Sequence, residues 1–517
     1  MTLGDLLRRA DELATSRMSE SVLQSPVASQ IVNAVTHDSR NVQPGTLFVG
    51  LQGEHVDGAT YARDAERRGA VAVVSGSPQN TEVSLPWITV SDAREALAAL
   101  SASFYDLPSH ELMVLGITGT NGKTTTAHLL SEIFEQAGMP CGRLGTVSHQ
   151  IGNETREAAL TTPEAPEIQS LLRELVDGGS MVCAMEVSSH GLALRRADFT
   201  RFTAAVFTNL SRDHLDFHGD MNSYFLAKRR LFDELPSDAR TIVNLDDPRG
   251  SLLASAASRP VTYAIDQPAD VVSADVIDAS FNGLVFDVRT SRGVLHLRSS
   301  LLGRINVYNI LAAVATAIAL DLPFDAIEQG VESLKSVPGR MQVVSHGDDD
   351  LTVIVDFAHT DDALKQVLEG TRALASERVV VVFGCGGDRD RSKRPLMGAV
   401  AARLSDAVIV TSDNPRSEDP LAIIQDITRG MDSATQRSNA EVGEGTGDFF
   451  RTPYLTISDR KLAIERAIRE AHVGDVVVIA GKGHETYQEI GSERRSFDDL
   501  EIAQDALRRR RTNALVS

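Results

Sequence analysis

Short apolar runs alternate with amphipathic segments along most of the chain. The apolar runs lie at residues 46–51, 70–75, 87–90, 113–118, 181–186, 203–209, 353–358, 379–384, 406–413 and 475–481. Runs of this length, bounded by polar or glycine-containing segments, are typical of buried strands. Strands that are separated by helices form parallel sheets with crossover helices. The pattern therefore predicts an α/β protein.

The longer segments between these runs predict helices. Residues 128–138 repeat apolar side chains at helical spacing and end at a glycine. Residues 221–232 have the same periodicity and carry three consecutive cations, whereas residues 304–320 are almost wholly apolar. Residues 432–450 are polar and rich in glycine, which predicts a surface loop.

Two breaks in the pattern divide the chain into three regions. The sequence DLPSH at 106–110 is typical of a linker, and Pro338 and Gly339 interrupt the segment SVPGRM at 336–341. The second break is a candidate hinge. The predicted fold is therefore α/β with three domains, which cover residues 1–107, 108–338 and 339–517.

Composition and charge restrict the classes of partner. The chain has 517 residues and a net charge of −20, which argues against general binding to nucleic acid or to an anionic membrane. The three cysteines fit no disulfide or metal pattern, so a reducing compartment is expected. The N-terminus has the pattern of an amphipathic helix rather than of a signal peptide, and no stretch is apolar enough to span a membrane. We therefore expect a cytoplasmic protein that acts on small molecules, and nothing demands more than a monomer.

The stretch GITGTNGKTTT at 116–126 predicts a phosphate-binding loop. Gly119 and Gly122 would let backbone amides approach phosphates, Lys123 could reach the outer phosphates, and Thr124 could offer its hydroxyl to Mg²⁺. The spacing departs by one residue from the strict P-loop pattern. The alternative is a glycine-rich turn with a chance lysine. A strand before the loop and a helix after it favour the phosphate loop.

Two acidic segments follow the next predicted strands. Glu186 ends an apolar run, where it could bind a metal ion or could be a surface acid just past the strand. His214 could also bind metal, with Asp213 and Asp216 to orient it, although the residues alone slightly favour a polar loop with helix caps. Composition does not show which cation of the following helix matters.

Three loops at strand ends of the last region are rich in charged side chains. GCGGDRDRSKRP at 384–395 has the composition of an anion-binding loop, and the alternative is a flexible basic loop. SDNPR at 412–416 and GKGHE at 481–485 each follow another strand and could each be a simple turn. Ligands of parallel sheets bind at the carboxyl ends of strands. Together the three loops predict one pocket for a small polar ligand that carries charges of both signs.

These motifs, in this order, resemble the Mur ligase family of ATP-dependent enzymes, which add amino acids to the UDP-linked peptidoglycan precursor. The resemblance rests on GTNGKTTT, EVSSHG, NLSRDHLDFHG, GRINVYN, DFAHT, GCGGDRD, DNPR and GKGHE, and it covers the chain from THDSR at 36–40 onward. It implies an N-terminal UDP-binding α/β domain, a central P-loop ATPase-type domain with a parallel sheet, and a C-terminal Rossmann-like domain for the amino acid.

The DNPR tetrad is similar to that of members that add meso-2,6-diaminopimelate to the D-Glu carboxylate of UDP-MurNAc-L-Ala-D-Glu. The resemblance implies ATP and Mg²⁺, an acyl-phosphate intermediate and a carbamate on Lys228. The implied ATP contacts are Gly119, Thr120, Asn121, Gly122, Lys123, Thr124, Thr125, Asn306, Asn309, Arg340, Asp356 and His359. The implied metal ligands are Thr124, Glu186, His214 and carbamylated Lys228, of which the last three are catalytic together with Lys123.

The resemblance also implies contacts for the two other substrates. Those for UDP-MurNAc-dipeptide are Ser39, His55, Thr161, Thr162, Ser188 and Arg196, and those for diaminopimelate are Arg389, Asp413, Asn414, Pro415, Arg416, Gly481 and Glu485. Arg389 and Arg416 would hold the distal carboxylate and Glu485 the distal ammonium group. Lysine lacks that carboxylate and would leave a buried arginine unpaired, at about 2–5 kcal/mol.

The chain departs from the family pattern at Leu194, Gln342, Phe357 and Asp361. These departures affect details of the ATP and muramoyl contacts rather than the reaction class. Three alternatives remain. They are a lysine-adding member, a ligase similar to folylpolyglutamate synthetase, which would explain neither THDSR nor DNPR, and a non-catalytic nucleotide-binding switch, which would leave Glu186, His214 and Lys228 without a role.

Overall fold

The computed structural model describes residues 1–15, 17, 18, 20, 22, 23, 25–53, 56–441 and 454–514. These residues form three large sheets in chain order and a small two-stranded sheet near the C-terminus. Helices pack on the large sheets, as the alternating pattern predicts. Within the described ranges, no helix combines the length and apolar character that crossing a membrane requires.

The N-terminal sheet is parallel, with strands in the order β1-β2-β3-β4. Its strands are β1 (Ala34–Thr36), β2 (Thr46–Gly50), β3 (Ala70–Ser75) and β4 (Trp87–Thr89). Its helices are α1 (Leu3–Asp11), α2 (Ala62–Arg67) and α3 (Ala93–Phe104), and short 3₁₀ turns lie at Pro26–Ser29, Ser39–Asn41, Gly58–Tyr61 and Pro108–His110. Helices α1 and α3 bury leucine and alanine side chains in the core of this region.

The central sheet has a parallel middle and antiparallel edges. Its strands are β5 (Met113–Thr118), β6 (Cys141–Leu144), β7 (Ser148–Ile151), β8 (Glu154–Glu157), β9 (Val182–Glu186), β10 (Phe202–Phe207), β11 (Arg240–Asn244), β12 (Pro260–Ala264), β13 (Val271–Ser280), β14 (Gly283–Thr290) and β15 (Gly293–Ser299). Strand β5 lies between β10 and β9 in the order β15-β14-β13-β12-β11-β10-β5-β9-β6-β7-β8. The phosphate loop therefore leaves the sheet near its middle, between two parallel neighbours.

Eight helices accompany the described central strands. They are α4 (Lys123–Gln136), α5 (Ala165–Asp177), α6 (Ser189–Ala193), α7 (Leu215–His218), α8 (Met221–Asp233), α9 (Gly250–Ala256), α10 (Arg304–Ala319) and α11 (Phe324–Ser333). Helix α10 is buried along almost its whole length, which explains why its sequence is nearly all apolar. It packs with α4 in one core under the sheet.

The C-terminal sheet has the order β16-β17-β21-β18-β19-β20 and is parallel apart from β16. Its strands are β16 (Gln342–Val343), β17 (Thr352–Asp356), β18 (Val379–Phe383), β19 (Ala407–Val410), β20 (Tyr454–Thr456) and β21 (Val476–Ala480), and β22 (Tyr487–Ile490) and β23 (Glu493–Ser496) form a hairpin. The helices are α12 (Asp361–Leu374), α13 (Lys393–Leu404), α14 (Pro420–Glu441), α15 (Arg460–Glu470) and α16 (Asp499–Ala514).

The predicted α/β class is confirmed, but the loop predicted at 432–450 is wrong in its first part. Helix α14 continues to Glu441 because no glycine or proline interrupts residues 431–441. The rest of that predicted loop lies outside the described residues. The three cysteines are buried and free, as expected without a disulfide pattern.

Candidate active site

The loop between β5 and α4 is shaped by two glycines. Gly119 has a φ of +152° and Gly122 a φ of +90°, and residues other than glycine rarely adopt these backbone angles. A Cβ atom on Gly119 would lie 1.8 Å from Thr208 Oγ1, and one on Gly122 would lie 2.3 Å from Asn309 Oδ1. The loop therefore requires glycine at both positions, and it brings the backbone close to β10 and α10.

The end of β10 holds this loop in place. Thr120 N donates to Asn209 O at 2.9 Å, and Asn121 N donates to Asn209 Oδ1 at 2.9 Å. Thr208 Oγ1 donates to Asn121 O at 2.6 Å. Thr120 Oγ1 also lies 3.1 Å from the hydroxyl of Tyr224 on α8. These bonds fix the loop before any phosphate binds, so the strand–loop–helix context predicted from the sequence is present.

Lys123 and Lys228 meet at the same loop. Lys123 Nζ donates to Gly119 O at 2.9 Å and to Thr120 O at 2.8 Å. Lys228 Nζ donates to Gly119 O at 2.8 Å. Burial lowers the pKa of both lysines, and the charge of Lys123 further lowers the pKa of Lys228. Among the three consecutive cations of α8, Lys228 is therefore the one that faces the phosphate loop.

Glu186 is fully buried at the end of β9 and faces the phosphate loop. Its Oε2 accepts from Thr124 Oγ1 at 3.1 Å and from Thr146 Oγ1 at 2.9 Å. Its Oε1 accepts from Thr146 N at 2.9 Å. The alternative that Glu186 is a surface acid is wrong. Sequence reasoning missed Thr146, although a threonine two residues after the end of β6 is a usable signal.

The donor set around Thr124 suits a magnesium ion. Mg²⁺ keeps several waters and takes one or two carboxylates together with phosphate oxygens. The Thr124 hydroxyl and the Glu186 carboxylate supply that kind of partial site. The described residues contain no group of three His, Cys, Asp or Glu side chains arranged to hold a metal, so a full protein cage is not formed here.

His214 lies in the loop before α7 and lines the same cavity as Glu186. Its backbone is left-handed, with a φ of +53°, and its Nε2 lies 3.3 Å from Asp213 Oδ2. Burial lowers the pKa of His214 to about 3. The ring therefore stays neutral and can offer a nitrogen lone pair. A polar loop accounts for the backbone of this segment, but it does not account for the position of the His214 ring in the cavity.

A cavity of about 320 Å³ contains most of the predicted nucleotide contacts. It is lined by Thr120, Asn121, Gly122, Lys123, Thr124, Thr125, Asn306, Asn309, Arg340, Asp356 and His359, together with Glu186 and His214. Gly119 forms the start of the same loop. Asn309 Nδ2 donates to Asn306 Oδ1 at 2.9 Å, so the two asparagines of α10 form one pair. The nucleotide side of the site is therefore assembled from both the central and the C-terminal regions.

Arg340 crosses from the C-terminal region to the phosphate loop. Its Nη2 donates to Thr124 Oγ1 at 3.2 Å, and its guanidinium lies 4.8 Å from the centre of the Phe357 ring. The Phe357 ring thus gives Arg340 a stacking surface. Asp356 is buried and accepts the backbone amides of Met341 and Ala358, each at 2.7 Å, which orders the turn beneath Arg340.

The residues predicted to hold the muramoyl-dipeptide are only partly brought together. Thr161 and Ser188 line the nucleotide cavity. Thr162 Oγ1 donates to Glu186 O at 3.0 Å, and Arg196 Nη1 donates to Thr162 O at 3.1 Å. Ser39 is the buried residue of a 3₁₀ turn in the N-terminal region. His55 falls outside the described residues.

A second cavity of about 460 Å³ lies beside the first. Six of the seven predicted diaminopimelate residues line it, namely Arg389, Asp413, Asn414, Arg416, Gly481 and Glu485. Pro415 is not among the described residues that line it. Asp213, His214, Phe357 and His359 line both cavities. A ligand in the second cavity would therefore lie next to a nucleotide in the first.

The charged side chains of the second cavity form two linked groups. Lys482 Nζ donates to Glu485 Oε2 at 2.7 Å and to Asn414 Oδ1 at 3.0 Å, and Asn414 Nδ2 donates to Glu485 Oε2 at 2.9 Å. Arg416 Nη1 donates to Gly387 O at 2.8 Å, and its Nε donates to Glu489 Oε2 at 2.9 Å. Sequence reasoning missed Glu489, because an acid in a polar hairpin carries no signal of its own.

Comparison with known proteins gives a consistent result over the whole chain. Residues 31–105 match the model of the Mur ligase family, catalytic domain, residues 117–317 the Mur ligase middle domain, and residues 339–483 the Mur ligase, glutamate ligase domain. A protein of Geobacter metallireducens named UDP-N-acetylmuramoyl-L-alanyl-D-glutamate–2,6-diaminopimelate ligase is 46% identical, over 91% of this chain and 93% of the relative. A protein of Bacillus velezensis with the same name is 42% identical over 96% of this chain and 98% of the relative.

Solved structures agree with these relatives. A structure of a UDP-N-acetylmuramoyl-L-alanyl-D-glutamate–2,6-diaminopimelate ligase has a TM-score of 0.65 and 34% identity, and covers 94% of this chain and 96% of its own. A Mycobacterium tuberculosis folylpolyglutamate synthase shares the fold, with a TM-score of 0.59, but it is only 19% identical and covers 75% of this chain and 92% of its own. Three models of this family match successive parts of the sequence, and relatives above 40% identity cover almost its full length. The chain therefore belongs to the Mur ligase family.

Proposed function

We propose that this protein is an ATP-dependent ligase that adds meso-2,6-diaminopimelate to the D-Glu carboxylate of UDP-MurNAc-L-Ala-D-Glu. The observation that carries the proposal is the junction of the two cavities at Asp213, His214, Phe357 and His359. A nucleotide in one cavity and an amino acid in the other would place an activated carboxylate next to an attacking amine. The names of the relatives support the choice of substrates.

The reaction proceeds in two steps. The D-Glu carboxylate attacks the γ-phosphorus of ATP, the bond to the bridging oxygen breaks, and ADP leaves behind an acyl phosphate. The amine of diaminopimelate then attacks the acyl carbon, loses a proton, and expels inorganic phosphate as the amide forms. Lys123 and the loop that ends at Gly122 bind the outer phosphates and neutralise the charge that shifts onto them.

Thr124, Glu186 and His214 are the residues that would hold Mg²⁺ at this site. When bound, the ion polarises phosphoryl oxygens and screens the negative charge of the substrates. Arg340 reaches Thr124 from the C-terminal region, so closure of that region would complete the site. The segment 336–341, which carries Arg340, is the hinge that we propose for this movement.

Lys228 is the residue that we propose to be carbamylated. Its ammonium group is buried and shares the acceptor Gly119 O with Lys123. Addition of CO₂ would replace one of two neighbouring buried cations with an anion. A carbamate oxygen is also a ligand that Mg²⁺ accepts. This modification would relieve repulsion between the lysines and extend the metal site in one step.

Arg389, Asn414, Arg416 and Glu485 provide the chemistry that diaminopimelate requires at its distal end. That end carries one carboxylate and one ammonium group, and Arg389, Arg416 and Glu485 line the cavity among several other charged side chains. Arg416 already pairs with Glu489, but lysine would leave its remaining N–H donors without a substrate carboxylate. We therefore propose that the site prefers diaminopimelate to lysine. Ser39, Thr161, Thr162, Ser188 and Arg196 would bind the UDP-MurNAc-dipeptide, with His55 of the N-terminal region.

The proposal includes three domains, at residues 1–107, 108–338 and 339–517, which follow the three large sheets. We propose a monomer as the active unit. The substrates are cytoplasmic precursors, so we place the reaction in the cytoplasm.

The test is release of inorganic phosphate from ATP in the presence of Mg²⁺ and UDP-MurNAc-L-Ala-D-Glu. Parallel reactions contain meso-diaminopimelate, L-lysine or no amino acid. The proposal expects strong release with diaminopimelate alone. Equal release with lysine would contradict the proposed preference for diaminopimelate but would still support a ligase activity. No release with either amino acid would point to a folylpolyglutamate-type ligase or to a nucleotide switch. Phosphate release with glutamate and a folate would identify the folylpolyglutamate-type ligase.

A further inference from the structure

The hairpin of β22 and β23 is bound to the DNPR tetrad along its first strand. Gln488 Nε2 donates to Asp413 O at 2.6 Å, and Glu489 N donates to Asn414 Oδ1 at 3.0 Å. Arg416 N donates to Glu489 O at 3.1 Å, and Gly491 N donates to Arg416 O at 2.8 Å. Residues 488–491 of the hairpin thus form hydrogen bonds to Asp413, Asn414 and Arg416 of the tetrad.

This support matters because Arg416 has an unfavourable backbone conformation. Its φ is +51°, in the left-handed region that is costly for residues other than glycine. The bonds to Glu489 and Gly491 on either side of Arg416 hold the backbone there. The direction in which the Arg416 side chain leaves the tetrad therefore depends on the hairpin.

The Glu489 side chain then fixes the guanidinium itself. Arg416 Nε donates to Glu489 Oε2 at 2.9 Å, while Arg416 Nη1 donates to Gly387 O at 2.8 Å. Two acceptors on different nitrogens define the plane of the group. A guanidinium has five N–H donors, so three remain for a ligand carboxylate. Arg416 is among the described residues that line the cavity, and Glu489 is not.

We propose that Glu489 is a positioning residue for the amino-acid substrate and contributes to its selection through Arg416. The inference rests on the proposed function, since it concerns recognition of the distal carboxylate of diaminopimelate. Glu489 acts by holding the Arg416 guanidinium before the substrate arrives, which reduces the cost of ordering that side chain on binding. It touches neither the substrate nor the reacting atoms.

An exposed ion pair is the plain alternative. The Arg416 and Glu489 side chains are 24% and 35% exposed, and exposed pairs often contribute little. The same hairpin offers a matched control, since Glu493 pairs with Arg495 at 2.6 Å with both side chains about two-thirds exposed. A positioning role predicts an effect on substrate binding at Glu489 that is absent at Glu493.

The experiment compares the full-length wild-type protein with Glu489→Ala, Glu489→Gln and Glu493→Ala. It measures kcat and KM for diaminopimelate, KM for ATP and for the UDP-linked substrate, the ratio of kcat/KM for diaminopimelate over lysine, and the melting temperature. Glutamine keeps an oxygen that can accept from Arg416 Nε, whereas alanine removes it. We expect Glu489→Ala to raise the KM for diaminopimelate about tenfold and to lower the diaminopimelate/lysine ratio, with kcat and the other KM values unchanged.

Glu489→Gln should restore the KM to within about threefold of the wild-type value, and Glu493→Ala should leave it unchanged. An unchanged KM in Glu489→Ala would overturn the inference in favour of a plain surface pair. A lower KM in both Glu489 variants would also overturn it, because Glu489 would then compete with the substrate. If kcat and the melting temperature both fell and all three KM values changed in Glu489→Ala, the variant would be generally damaged. That result would count against the inference. Wild-type protein that releases no phosphate with diaminopimelate would instead refute the proposed function, and this inference with it.

Discussion

Lys123 and Lys228 donate to the same carbonyl oxygen, that of Gly119, at 2.9 and 2.8 Å. Lys228 is buried and Lys123 half-buried, and the charge of Lys123 adds to burial in lowering the pKa of Lys228. The acceptors of the two ammonium groups, Gly119 O and Thr120 O, are neutral carbonyl oxygens, which do not balance two neighbouring cations. Incoming phosphates balance Lys123, so the remaining excess of positive charge lies at Lys228, where a carbamate would remove it.

Lys228→Ala should therefore abolish most of the activity. We expect kcat to fall by at least about a hundredfold, since the variant loses the group that would extend the metal site. Added formate or acetate should restore part of the rate, because a small carboxylate can occupy the space of the missing carbamate. The measurement is phosphate release at increasing concentrations of the added acid, with bicarbonate varied in parallel for the wild-type protein.

Arg229→Ala is the matched control for Lys228. Arg229 is the next residue of α8, and its Nε pairs with Asp233 at 3.1 Å on the exposed side of the helix. This variant should keep wild-type activity and show no response to formate. Full activity of Lys228→Ala without any added acid would contradict the assigned role.

Arg416→Ala should weaken diaminopimelate more than lysine. The variant removes the partner of the distal carboxylate, so we expect a lower kcat/KM for diaminopimelate. The decrease corresponds to a loss of about 2–5 kcal/mol in transition-state binding, while kcat/KM for lysine changes little. Steady-state kinetics with both amino acids test this. Arg391→Ala is the control, since Arg391 pairs with Glu418 at 3.0 Å and its side chain is 69% exposed. An unchanged diaminopimelate/lysine ratio in Arg416→Ala would assign the selection to another residue.

Much of this site could be predicted from sequence because its backbone signals are local. Gly119 and Gly122 mark a loop between an apolar strand and a helix, and both prove to have positive φ. The buried position of Glu186 could not be decided locally, since a strand ends at the same residue whether its acid faces a cavity or water. The choice depended on Thr124, in the first turn of α4, and on Thr146, in the loop after β6.

Contacts between distant segments were the part that sequence did not show. Glu489 and Glu493 lie on the same polar hairpin and have similar sequence surroundings, yet only Glu489 pairs with Arg416. The difference arises because Arg416 forms a parallel bridge to Ile490, and this sets the register between two segments more than seventy residues apart. Periodicity along one segment carries no information about such a register.

His128 should make stability depend on pH. Burial on α4 lowers the pKa of His128 from 6.5 to about 3, so the unfolded chain binds a proton more readily than the folded one between these values. This contribution is fully present above about pH 6.5 and is lost as the pH falls towards 3. The urea midpoint of wild-type protein should therefore drop between about pH 7.5 and about pH 5.

His128→Gln should show a smaller drop over the same range, because glutamine does not titrate. Other buried histidines still contribute, so the drop should shrink rather than disappear. His346→Gln is the control, since His346 is exposed, and its curve should follow that of the wild-type protein. Identical pH dependence in His128→Gln and wild type would show that His128 is not the group responsible.

Arg460 and Asp499 form a fully buried ion pair beneath the amino-acid cavity. Arg460 Nη2 lies 2.6 Å from Asp499 Oδ2 and also donates to Ala480 O at 3.0 Å, directly before Gly481. Asp499→Ala leaves a buried charge without its partner, so we expect a loss of about 3–5 kcal/mol in the free energy of unfolding. Glu493→Ala breaks an exposed pair and should cost about 0–1 kcal/mol.

Joint replacement of the pair separates its two contributions. The double variant Arg460→Met with Asp499→Leu removes both buried charges and keeps apolar volume, so it should recover much of the stability that Asp499→Ala loses. Urea unfolding of the four proteins provides the comparison. Because Arg460 also holds the carbonyl of Ala480, the double variant should still bind diaminopimelate more weakly than wild type even where its stability returns. Recovery of both stability and KM would mean that the pair supports the fold alone and does not shape the cavity.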